Sequence, residues 1–193
     1  MKIWKKIRTP LVFVILACCA IGYYIYLSHR DVDQTEKMAS NTEVSKLISR
    51  DLDLNYPATA RAVVTYYSDI IKAYYKETMT DEELASLAEK ARGLFSEELL
   101  NFNSQETYLA NLTTEIEAYK SAGKYISDYL VEEGYNVEYI TFKEEDYAKV
   151  DAKYYVREDS SLVYVYEEYT LKKEDSNWKI VYWEVTDASG MEN

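Results

Sequence analysis

Histidine is almost missing from this chain. His29 is the single one in 193 residues, so everything downstream of it lacks the commonest acid–base group near neutral pH. Cysteine is nearly as scarce. Cys18 and Cys19 stand side by side in an apolar run, which leaves the remainder without a disulfide, a thiol nucleophile or a thiolate metal site. Five glycines and two prolines exclude collagen-like and low-complexity classes. There is no glycine-rich phosphate loop, no G-x-S-x-G and no H-E-x-x-H, so the usual signatures of nucleotide hydrolysis, serine hydrolysis and zinc proteolysis are all absent. Basic residues thin out after the start. Residues 1–30 hold five basic groups and no acidic one, leaving 17 basic against 34 acidic residues beyond them, a formal charge of −17. A polyanion of this kind repels nucleic acid.

What the chain does have, first, is a run without charge from Thr9 to Ser28, containing PLVFVILACCAIGYYIYL. Twenty helical residues span about 30 Å, the hydrocarbon thickness of a bilayer. The sequence therefore predicts a transmembrane helix over residues 10–28. Lys2, Lys5, Lys6 and Arg8 precede it and Asp31, Asp33 and Glu36 follow. The positive-inside rule then puts residues 1–9 in the cytoplasm and the C-terminal part outside it, in a single-pass cell-membrane protein whose first partner is the lipid bilayer. Two competing readings are a cleaved signal peptide, against which the bulky Tyr-Ile-Tyr-Leu close argues, and a lipoprotein at Cys18 or Cys19, where the flanking residues fit poorly.

Residues 29–56 read as a juxtamembrane linker with one short helix carrying Val44, Leu47 and Ile48. Residues 57–187 form one domain's worth of chain, and 188–193 a disordered tail. In the domain, Val63, Tyr67, Ile70 and Tyr74 recur at spacings of four, three and four, the stripe of an amphipathic helix running from an N-cap at Thr59 to about Glu77. Thr80-Asp81-Glu82-Glu83 is a capping-box pattern, and Leu84, Leu87, Ala88, Ala91 and Phe95 are the expected buried stripe of the helix it opens. A third helix starts near Ser104, turns Tyr108, Leu112, Ile116 and Tyr119 inward and stops at Gly123. Beyond Gly123 the period falls to two. Strands are expected at 125–131 (with a helical continuation as the alternative there), 137–142, 147–157, 162–172 and 178–186. The clearest is the third, where Ala148, Val150, Ala152, Tyr154 and Val156 alternate with polar neighbours. Short turns between long strands imply an antiparallel meander. Helices first and sheet second make the fold α+β, with helices packed on a curved antiparallel sheet.

That element order, with the closing Trp178-Lys179-Ile180-Val181-Tyr182-Trp183 strand, resembles the nuclear transport factor 2-like (cystatin-like) roll over Pro57 to Thr186. The whole chain resembles an uncharacterised family of small membrane-anchored bacterial proteins with a domain of unknown function. The N-terminal MKIWKKIRTPLVFVILACCAIGYY, the Asp51-Leu52-Asp53-Leu54-Asn55-Tyr56-Pro57 segment and the Trp178-Lys179-Ile180 close carry that resemblance. A short tail, one membrane helix and an outer roll is also the layout of an assembly component of type IV secretion machines, an analogy of architecture alone.

The resemblance implies a pocket between helices and sheet, which in enzymes of this roll is worked by histidine and carboxylates. With no histidine available, no catalytic, cofactor or metal residues are expected. Glu167 is the carboxylate to follow. It shares a strand face with Val163, Val165, Tyr169 and Leu171, so desolvation would raise its pKa. Glu167, Tyr67, Tyr74 and Tyr169 are the candidate ligand-pocket residues. Glu132-Glu133 and Glu144-Glu145-Asp146 lack the spaced oxygens and tight-turn glycine of a calcium loop and read as solvated turn charges. In the pairs Tyr66-Tyr67 and Tyr74-Tyr75 one ring is expected inward and one sideways, the exposed members forming a patch for a protein partner. The leading expectation is a non-catalytic extracytoplasmic binding or assembly module of the cell envelope that meets an envelope or membrane protein and no nucleic acid. The alternative is a small-ligand pocket protein or a histidine-free enzyme of the same roll.

Overall fold

A computed structural model of the chain describes residues 42–187. The expected membrane helix at 10–28, its flanks and the tail at 188–193 lie outside them. Among the described residues no helix is long and apolar enough to cross a membrane.

Among the described residues five helices precede five strands. Helix α1 spans Glu43–Ser49, α2 Ala60–Lys76, α3 Asp81–Arg92, α4 Glu97–Phe102 and α5 Gln105–Ser121. Strand β1 spans Lys124–Val131, β2 Glu138–Phe142, β3 Glu145–Glu158, β4 Ser161–Glu174 and β5 Asn177–Thr186. The class is α+β, with helices on a curved antiparallel five-stranded sheet.

Local chemistry sets the helix starts. The Thr59 hydroxyl accepts from Ala62 N–H at 3.1 Å and opens α2. At α3 both halves of the capping box form: Glu83 N–H donates to Thr80 Oγ1 at 3.2 Å, and Thr80 N–H donates to Glu83 Oε2 at 2.8 Å. Ser104 caps α5 in the same way, through Thr107 N–H at 3.2 Å. The α2 stripe is wider than its spacing predicts. Val63, Tyr67, Ile70 and Tyr74 are buried, but so are Val64, Tyr66 and Ala73. Both members of the Tyr66-Tyr67 pair are therefore inside, and Tyr74 is buried with Tyr75 packed partly against the core. The expected exposed tyrosine patch on α2 does not exist, because Tyr75 packs on Tyr119 of α5 at 4.5 Å between ring centroids and Tyr66 is covered at α1. Tyr66 donates its hydroxyl to Leu47 C=O there at 2.7 Å.

Phe95 does not continue the α3 stripe. The helix ends at Gly93, and Phe95 instead makes a parallel bridge with Ile180. Ser96 N–H donates to Ile180 C=O at 2.9 Å and Ile180 N–H to Leu94 C=O at 2.8 Å. This tie leads into α4, which the sequence reading missed. Its signal is Ser96-Glu97-Glu98, a capping serine followed by two first-turn carboxylates.

Strands β3, β4 and β5 form the expected meander through two-residue loops. The other side of β3 is shared. β1 pairs with its later half, from Ala152 to Glu158, and β2 with its earlier half, from Glu145 to Lys149. The tight turns place Lys143, Glu144, Asp159 and Asp175 at positive φ, as two-residue hairpins require. Irregularities lie between Ile126 and Asp128 in β1 and opposite Thr170–Leu171 in the β4–β5 pair, and bulges of this kind bend a sheet. The alternation in β3 holds throughout: Ala148, Val150, Ala152, Tyr154 and Val156 are all buried on the face toward the helices.

Candidate functional site

Strand register and helix period converge beneath α2 and α5. On the helix-facing side of the sheet, Val150 stands opposite Tyr169, Ala152 opposite Glu167 and Tyr154 opposite Val165. Trp183 and Val185 extend the Tyr169 and Glu167 rows onto β5. A cavity of about 280 Å³ lies between helices and sheet, with Tyr67, Ile71, Tyr74 and Tyr75 of α2 on one wall and Tyr108, Leu112, Glu115 and Tyr119 of α5 on another. Its floor comes from Tyr154, Val156, Val165, Glu167 and Trp183 on the sheet.

Three of the four residues singled out from the sequence, Glu167, Tyr67 and Tyr74, line this space. The fourth, Tyr169, lies wholly buried just behind it and donates its hydroxyl to Glu167 Oε2 at 2.5 Å. The bond is one link in a longer series. Tyr169 and Tyr154 share a hydrogen bond of 2.8 Å between their hydroxyls, and Tyr154 shares another of 2.8 Å with Ser68 Oγ. Ser68 is fully buried in α2. A polar chain thus runs from the helix through two phenols to a carboxylate at the cavity wall, and each buried oxygen along it is partnered.

The carboxylate is the unusual group. Burial raises the Glu167 pKa; the Tyr169 hydrogen bond pulls it down, and the charge of Glu115 pushes it up again. No lysine or arginine is among the residues lining the cavity. Burial likewise holds the Tyr67, Tyr74, Tyr154 and Tyr169 phenols far above their ordinary value, so all four stay neutral at physiological pH. The Tyr74 hydroxyl feels its Tyr108 neighbour but is fully buried without a partner at hydrogen-bond geometry.

Aromatic rings frame the rest. Tyr67 meets Trp183 at 5.7 Å and Tyr169 at 5.8 Å between centroids, and Tyr75 meets Tyr119 at 4.5 Å. Sequence reasoning turned Tyr108, Leu112 and Tyr119 inward but passed over Glu115. The signal was there, since Glu115 follows Leu112 by three and precedes Tyr119 by four, on the same helix face.

Four of the other acidic groups singled out from the sequence have structural partners, Glu133 through Arg61 at 3.7 Å. Glu132 is half-buried, not a solvated turn charge, and accepts Asp151 N–H at 2.8 Å. Glu145 pairs with Lys172 at 2.6 Å, and Asp146 accepts from the Thr141 hydroxyl at 2.9 Å. Among the described residues no group of three or more His, Cys, Asp or Glu side chains is placed to hold a metal ion.

The family model described as Domain of unknown function (DUF6715) matches residues 1–183. No curated protein matches the chain.

Proposed function

The chain belongs to the DUF6715 family of domains of unknown function, which lends it no activity, and we propose that its folded part is a non-catalytic, small-ligand-binding domain of the bacterial cell envelope. The observation that carries this is the cavity under α2 and α5, with a carboxylate and buried phenols in its wall. Ligand sites are concave and largely apolar, with a few fixed polar groups that set orientation. The Ser68–Tyr154–Tyr169–Glu167 chain supplies that fixity. It ends on a serine hydroxyl with no exposed surface, which suits an immobile acceptor better than a proton path serving turnover. Resemblance to the nuclear transport factor 2-like roll, where a pocket lies between helices and sheet, supports the same reading. Residues 10–28 tether the domain to the outer side of the membrane, which raises its effective concentration toward partners in the same bilayer.

A second reading, an assembly module, has its own observation. Tyr125, Leu162, Val163 and Tyr164 are 38–48% exposed around the β3–β4 turn, where Tyr125 pairs with Arg157 and Arg157 with Leu162. Native mass spectrometry of the full chain extracted from membranes separates the two. The ligand reading expects a small-molecule adduct that disappears in Val165→Trp, which fills the cavity. A chain that carries no adduct, while membrane crosslinking through Tyr164 captures one defined protein, overturns it in favour of assembly.

A further inference from the structure

Resting on the ligand-binding reading, we propose that the cavity accepts a small organic cation carrying a primary ammonium group. Charge inside the cavity has one sign. Glu167 lies in the wall and Glu115 joins it from α5, with no lysine or arginine in the lining. An anionic ligand would meet two carboxylates and no counter-charge. A neutral apolar ligand would exclude water from the Glu167 carboxyl without replacing the hydrogen bonds that water makes to it, which is costly. A bare metal ion would find too few donors, since no three-ligand group exists among the described residues.

The rings point the same way. Tyr67, Tyr75, Tyr108, Tyr119 and Trp183 border the space, and electron-rich faces around a desolvated site attract cations. A primary ammonium is singled out by hydrogen bonding. It carries three donors and no acceptor. The Tyr74 hydroxyl has no exposed surface and sits against Tyr108, so it stands behind the wall and does not meet a ligand. The acceptor is Glu167, which lines the space and receives Tyr169 on Oε2. A quaternary ammonium, with no N–H, would leave it unused. The volume of about 280 Å³ limits the ligand to a short aliphatic amine or to the amine-bearing end of a longer molecule whose remainder leaves past Glu115. Glu115 lines the space and is exposed, which places it at the cavity mouth.

The experiment uses one carbon skeleton in three charge states. Butylammonium, butanol and butyrate are titrated calorimetrically into the full chain in detergent micelles, with tetramethylammonium as a fourth probe. The expected order is butylammonium tightest, with butanol and tetramethylammonium about tenfold weaker or worse and butyrate silent. Glu167→Gln is expected to weaken butylammonium about tenfold or more and leave butanol unchanged, as loss of a desolvated counter-charge should. Should Glu167→Gln fail to fold, Glu115→Gln, at the exposed mouth, serves instead, with a smaller loss expected for butylammonium alone. Equal binding of butanol and butylammonium, or preference for butyrate, overturns the cation assignment and leaves the ligand-binding reading standing. Silence from all four probes overturns the cation assignment, and silence joined by a missing adduct in native mass spectrometry overturns the ligand-binding reading with it.

Discussion

Tyr169 and Glu167, two residues apart on β4, face the helices together and are joined by a 2.5 Å hydrogen bond from phenol to carboxylate. The period of two puts them on one face. Tyr154, across the β3–β4 pair, then shares its hydroxyl with Tyr169 at 2.8 Å, so the carboxylate's position is set from two strands and, through Ser68, from α2. A group held this way loses little rotamer freedom when a ligand arrives.

That carboxylate gives stability a pH dependence. The pKa of Glu167 is raised in the folded state, chiefly by burial, so folding favours its neutral form. Its contribution is fully present below the ordinary value of 4.5 and is lost as pH rises through the higher folded value. Urea unfolding of the ligand-free full chain at pH 5 and pH 8 is expected to show a steeper decline in the wild type than in Glu167→Gln. Asp69 and Glu132, also raised by burial, contribute equally to both proteins and cancel in the difference. Identical slopes would refute a desolvated Glu167.

Tyr154→Phe tests the polar chain behind the site. It removes the hydroxyl between Ser68 and Tyr169 and leaves the fully buried Ser68 oxygen without its phenolic partner, at a cost of about 1–3 kcal/mol. In a Ser68→Ala background the same change should cost clearly less, because the orphaned oxygen is gone. The coupling is read from a double-mutant cycle of unfolding free energies. Strict additivity would mean the two hydroxyls are independently solvated.

Much of this site was legible in the sequence. Glu167 and Tyr169 follow from strand parity, Tyr67 and Tyr74 from helical spacing, and the three hairpin turns from polar residues between alternating runs. What was not legible depended on which surfaces become covered. Tyr66 looked sideways-facing because its burial comes from α1, a short helix whose docking on α2 leaves no periodic trace in α2 itself. Phe95 fits the α3 stripe by spacing, but Gly93 ends the helix and backbone hydrogen bonds to Ile180 carry Phe95 away. Glu115 was overlooked as a polar residue on a helix whose mean character is mixed. Its place at the cavity depends on how α5 lies over the sheet, which is tertiary information. The sharing of one β3 edge by β1 and β2 is likewise a matter of pairing partner, on which strand periodicity is silent.

The capping box of α3 offers a local test. Thr80 Oγ1 accepts Glu83 N–H while Glu83 accepts Thr80 N–H, so Thr80→Ala removes a cap worth about 0.5–2 kcal/mol. Thr80→Ser keeps the oxygen and should stay within about 0.5 kcal/mol of the wild type. Unfolding free energies of the two variants check this, and an alanine variant as stable as the serine one would show that the box contributes nothing.

Two glycines should respond to alanine for different reasons. Gly123, between α5 and β1, has φ of +66°, and the nearest atom to a new Cβ is Asp159 Oδ1 at 3.6 Å. Space is adequate there, so the penalty is backbone strain of about 1–2 kcal/mol. Gly123→Asn should recover most of it, since asparagine tolerates the left-handed region. Gly93 has φ of −61°, which alanine adopts freely and which alone would favour alanine by about 0.4–1 kcal/mol through the unfolded state. Its added Cβ, however, would stand 2.8 Å from Leu52 Cδ1 and 3.2 Å from Lys90 C=O. Leu52 packs partly against the core and must move. Gly93→Ala should therefore destabilise the wild type but be neutral or favourable in a Leu52→Ala background, whereas Gly123→Ala should cost the same in both. Chemical denaturation of the four alanine combinations reads this directly, and an equal cost for Gly93→Ala in both backgrounds would remove Leu52 as the cause.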